Sequence, residues 1–65
     1  MNYRGYDLDT IDPSRRPDDA TPEEWRAYLA HLFDWLGTVL TRPDLPSPTA
    51  EHMTALRALI ADTLI

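Results

Sequence analysis

The chain has no cysteine, no lysine, no long apolar run and only two glycines among its 65 residues. Each absence removes something. Without cysteine there is no disulfide, no thiolate metal site and no thiol nucleophile. Gly5 and Gly37 precede no strand-to-helix transition, so a phosphate-cradling glycine loop cannot be drawn. No apolar stretch approaches the ~18 residues that a membrane-spanning helix needs. The N-terminal residues are polar and acidic, without the hydrophobic segment of a secretion signal, and the expected location is the cytoplasm.

Basic charge is also scarce. The formal net charge is −5, and all six basic residues are arginine, which reads as coding bias rather than chemistry. Residues 1–24 carry seven acids and three arginines, net −4, whereas residues 25–65 are near balance at −1. A basic footprint for nucleic acid is absent, so direct nucleic-acid binding is not expected.

What is present is one strongly patterned stretch, Thr21 to Leu40. Thr21 is a favoured N-cap, Pro22 suits the first helical position, and Glu24 stands three residues after Thr21. Together they form a capping box. Trp25, Tyr28, Leu29, Leu32, Phe33, Trp35, Leu36, Val39 and Leu40 then fall on one arc roughly 160° wide. Within it, Trp25, Leu29, Leu32, Leu36 and Val39 have the 4–3 spacing that packs along another helix. The pattern predicts a helix over about 22–41. A stiff loop follows over about 42–47, with Pro43 and Pro46, and Arg42 is kept out of helical geometry by the proline after it. A second helix is predicted over about 48–64, with Ser47 as N-cap, Pro48 at N1 and a narrow stripe of Met53, Leu56, Ile60 and Leu64. Gly37, inside the first helix, signals either fraying or a close helix approach.

Residues 1–20 show neither a helical nor a strand period. They read either as a disordered acidic tail or as an extended arm laid over the helices. The second reading is taken as the expectation, with Tyr3, Tyr6, Leu8 and Ile11 as anchors. The expected fold is therefore all-α: an antiparallel two-helix hairpin over 21–65 with an extended N-terminal arm over 1–20.

The wide aromatic arc faces a narrow second helix, so further cover is expected. Oligomerisation or a partner chain is the expected source, across Trp25, Tyr28, Leu32, Trp35, Val39 and Leu64. Trp and Tyr are enriched at interface hot spots. A chain this short without a staple usually needs such help.

Candidate chemistry is sparse. His31 and Asp34 have a spacing that can share a metal, and His52 would have to join from the other helix; three residues on polar flanks are read as surface, not as a site. Ser14 and Ser47 neighbour prolines in turn and cap contexts. No Ser-His-Asp order and no paired carboxylates stand out. The expectation is a non-enzyme without cofactor or metal: a protein–protein interaction module, accessory or regulatory subunit. The alternative is an acidic decoy that occupies a nucleic-acid-binding cleft, motivated by Asp7, Asp9, Asp12, Asp18 and Asp19.

Overall fold

A computed structural model describes residues 2–65. Four elements follow one another: strands β1 (Asn2–Tyr3) and β2 (Tyr6–Asp7), then helices α1 (Pro22–Val39) and α2 (Ser47–Leu64). The helices form the hairpin, and the arm lies across one side of it. In its thinnest direction the molecule measures 15 Å, one helical layer and the arm over it.

The start of α1 follows the sequence closely. Thr21 is the N-cap, its hydroxyl accepts from the Glu24 amide at 3.1 Å, and the Glu24 carboxylate accepts from the Thr21 amide at 3.0 Å. Two orphan donors of the first turn are thus satisfied. The far end of α1 stops slightly before the predicted boundary. Thr41 and Arg42 donate backwards to Thr38 and Val39, a tightening common in last helical turns.

Two expectations need correction. The fold is not purely all-α, because Asn2–Tyr3 and Tyr6–Asp7 pair antiparallel, Asn2 opposite Asp7 and Tyr3 opposite Tyr6. Two-residue strands are too short to leave an alternating pattern in the sequence. The ribbon is set by its turn: Arg4 at φ +51° and Gly5 at φ +92° are both left-handed, as the primed turns that match strand twist require. Secondly, Ser47 does not cap α2. Pro46 occupies the cap position and makes no side-chain cap bond, so Ser47 becomes the first helical residue. Of the two readings open for Gly37, fraying and a close approach of the other helix, the structure supports the second. The Arg57 guanidinium from α2 lies against it, so that a Cβ at position 37 would stand 3.2 Å from an Arg57 Nη.

The core runs between the helices and under the arm. Leu8, Leu29, Leu32, Leu36, Met53 and Ile60 are essentially sealed, and Trp25, Tyr28 and Leu56 complete the cluster. Each large side chain so placed contributes roughly 1.5–3 kcal/mol of burial. Leu8, at 0% exposure, makes the arm part of this core and not a cover laid loosely over it.

Candidate functional site

The arm meets α1 through aromatic rings. Trp25 and Tyr28, one turn apart, stack at 5.2 Å between centroids with planes 14° apart. Tyr6 packs on both, edge-on to Trp25 at 5.4 Å and tilted on Tyr28 at 4.9 Å. Tyr3 sits between Tyr28 at 5.7 Å and Trp35 at 4.9 Å. Offset and edge-on contacts of this kind add to the area each ring buries.

Three helix-borne donors then fix the arm's backbone. The Tyr28 hydroxyl donates to Tyr3 O at 2.9 Å, the Trp25 indole N–H to Pro13 O at 3.1 Å, and His52 Nε2 lies 2.8 Å from Leu8 O. A carbonyl can only accept, so this contact places a proton on Nε2 of His52. Burial pushes the Tyr28 hydroxyl up to about 12. Between the anchors the arm closes its own turns. Asp7 Oδ1 accepts from the Asp9 amide, and Asp12 Oδ1 accepts from both the amide and the hydroxyl of Ser14. The Ser14 hydroxyl, and then its amide, hold the Asp12 carboxyl below the usual carboxylate range.

Of the six residues expected to face another chain, four are buried within this one. Trp25, Tyr28, Leu32 and Val39 are buried, Trp35 is half-buried under Tyr3, and Leu64 is half-buried at the open end of the hairpin. The arm residues Tyr3, Tyr6, Leu8 and Ile11 all pack on the core. His31 and Asp34 are exposed on α1, and His52 engages the arm. Among the described residues no three His, Cys, Asp or Glu gather where they could hold a metal ion. No helix among them is long and apolar enough to cross a membrane.

Sequence reasoning missed the part played by the arginines. Arg57 donates its Nε–H to Phe33 O at 3.3 Å and lays its guanidinium 3.9 Å from the Phe33 ring centroid. That contact is a cation–π pair, and it uses the space left by Gly37. The only signal in the sequence was an otherwise unfavourable glycine in a helix. Arg26, near the start of α1, donates to Leu64 O at 3.2 Å and so caps the last turn of α2, which carries no basic residue of its own.

Besides a hollow of about 310 Å³ lined by Asp9, Pro48, Thr49, His52 and Met53, two concave surfaces lie along the helices. One, about 270 Å³, runs between the helices and is walled by Phe33, Leu40, Thr54, Arg57, Ala58 and Ala61. The other, about 370 Å³, lies where the start of α1 meets the end of α2, and Arg16, Trp25, Arg26, Leu29 and Leu64 contribute to it. Comparison with protein-family models, with curated proteins and with solved structures finds no match for this chain.

Proposed function

We propose that the protein is a non-catalytic protein–protein interaction module that receives a helix of a partner protein in the groove between α1 and α2. One observation carries this reading: the arm lies over one side of the hairpin, whereas among the described residues the groove walled by Phe33, Leu40, Ala58 and Ala61 is covered only by the Arg57 guanidinium on the Phe33 ring. Small alanine side chains allow a third helix to approach within the usual 8–10 Å of axis separation, a general figure of about that size. Glu51 and Asp62 stand seven residues before and four after Ala58, which puts them on the same side of α2. With the net charge of −5, they favour an amphipathic helix with basic flanks and an apolar or acidic residue against Arg57, the one charged residue lining the groove, over a second acidic copy.

The acidic-decoy alternative has less support. The Asp7 and Asp12 carboxylates are engaged in local turns and Glu24 in the capping box. These carboxylates keep their charge, but Arg4, Arg15 and Arg16 interrupt the acidic run, unlike the unbroken charge of a nucleic-acid backbone.

The test is affinity capture with the wild-type chain and with Ala58→Arg, which fills the groove with a bulky group of the partner's own sign. A partner retained by the wild type and lost by the variant, with unchanged helix content, is the expected result. No specific partner, or one held equally by both, defeats the reading. Sedimentation at micromolar concentration is expected to show a monomer; a dimer abolished by Ala58→Arg would put a second copy in the groove.

A further inference from the structure

Arg57 lines the groove between the helices without a carboxylate partner. Among the described residues the sole ion pair joins Arg42 to Asp44, at 3.8 Å, in a chain with 11 acids. The Arg57 head is nevertheless held in place. Its Nε–H donates to Phe33 O, its guanidinium carbon lies 3.9 Å from the Phe33 ring centroid, and one Nη lies against Gly37, a turn further along α1. A guanidinium presents its N–H donors in a fixed fork, and Nε uses only one of them. The donors on the two Nη atoms have no acceptor among the described residues. No unpartnered side-chain nitrogen among those residues is sealed from solvent, so both Nη atoms can be reached from outside.

We propose that Arg57 selects the partner by pairing with an acidic side chain in the middle of its helix, which rests on the helix-receiving reading of the groove. An apolar residue seated over the Nη atoms would take a half-buried cation out of water and give it no acceptor. Backbone carbonyls inside a helix are already bonded, so only a side chain of the partner can meet the fork. A carboxylate meets it in bidentate fashion and with opposite charge. Fixing the head beforehand matters, because a loose surface pair loses most of its attraction to the ordering of two long side chains. Glu51 lies six residues before Arg57 and Asp62 five after it. These separations are about 9 and 8 Å along α2, at ~1.5 Å per residue. The partner helix thus carries an acid at its centre and a basic residue roughly one and a half turns to either side.

The test displays a library of amphipathic helical peptides as long as α2, 18 residues, randomised at the polar positions beside their apolar face, and selects it against the whole chain. Affinities of the selected peptides are then measured by calorimetry. The selected peptides are expected to share a central Glu or Asp. Replacing that acid by its amide, or Arg57→Gln, should each weaken binding roughly ten-fold, the scale of one charge-assisted hydrogen bond. The two changes together should weaken it no further than either alone. Arg57→Gln also removes the contact with Phe33; if it lowers helix content, the amide peptide, which leaves this chain intact, decides. Ala58→Trp, which fills the groove without adding charge, separates the two readings. Peptides lost on Ala58→Trp that show no central acid, or that bind as tightly with the amide, would overturn the role of Arg57 and leave the groove reading standing. No saturable binder, or binders indifferent to Ala58→Trp, would overturn the groove reading and the role of Arg57 with it.

Discussion

The Tyr28 hydroxyl reaches from the middle of α1 to the Tyr3 carbonyl, 2.9 Å away and 25 residues earlier in the chain. This bond ties the β1–β2 turn to the helix at the centre of the aromatic cluster. It also couples folding to the protonation of one phenol, because a tyrosinate could not donate it.

Removing that hydroxyl should be measurable. Tyr28→Phe keeps the ring stack and leaves the Tyr3 carbonyl without its donor, at a cost of about 0.5–1.5 kcal/mol. Urea unfolding checks it, and coincident midpoints would mean that the bond adds nothing to folding.

The same group sets an alkaline limit. The folded value, raised from 10.0 to about 12, favours the neutral phenol in the folded state. The stabilisation is complete below about pH 10, where the phenol is neutral in both states, and is lost as pH rises through about 12. Thermal melts across that range should fall for the wild type and fall less for Tyr28→Phe. Parallel curves would assign the alkaline loss to other groups.

Leu8 separates an integral arm from a loose one. Its side chain is fully buried among the helices, so Leu8→Ala should cost about 2–5 kcal/mol. That is comparable to the whole stability of so small a domain, about 3–5 kcal/mol. The variant should be largely unfolded by circular dichroism at room temperature. An arm that merely trailed in solvent would leave the melt untouched.

At the capping box, Thr21→Ala should cost about 1 kcal/mol. The backbone bond from Thr21, and then its side chain, hold the Glu24 carboxyl below its ordinary 4.5. A carboxyl depressed on folding stabilises above its unfolded value, and the contribution disappears as pH falls through the lower folded value. The penalty of Glu24→Gln should therefore shrink as the solution is acidified below about pH 4. A penalty independent of pH would show that the charge of Glu24 plays no part.

Gly37 and Arg57 call for a double-mutant cycle. Alanine in place of a helical glycine normally gains about 1 kcal/mol. Here the new Cβ meets the Arg57 guanidinium at 3.2 Å, and the side chain must shift from the Phe33 ring to make room. Gly37→Ala should gain clearly less than that in the wild type and the full amount in an Arg57→Ala background. Equal gains in both would show that Arg57 yields without loss.

The local features were determined by the sequence. Thr21, Pro22 and Glu24 act within four residues of one another, so the α1 start needs no tertiary information. The prolines of the connector and the 3.6-residue periods of both helices are equally local. The side on which the aromatic arc would be covered was not local. The four arm anchors are spread over residues 3–11 with no period, and only the left-handed Arg4–Gly5 turn brings Tyr3 and Tyr6 back onto Tyr28 and Trp25. A two-residue strand has too few side chains to show alternation, so the ribbon left no trace in the pattern.

The arginines teach the same lesson. Nothing in the sequence marks the partners of Arg57 and Arg26: their acceptors, Phe33 O and Leu64 O, lie 24 and 38 residues away. Backbone carbonyls carry no residue-type signature, so no spacing rule could announce these bonds. The sequence by itself determined the helices, the N-terminal cap of α1 and an amphipathic arc too wide for one neighbour. Only the tertiary structure decided that the arm covers the Trp25, Tyr28 and Trp35 part of that arc and leaves Phe33 and Leu40 beside an open groove, because those outcomes depend on long-range contacts to main-chain atoms, which every residue possesses alike.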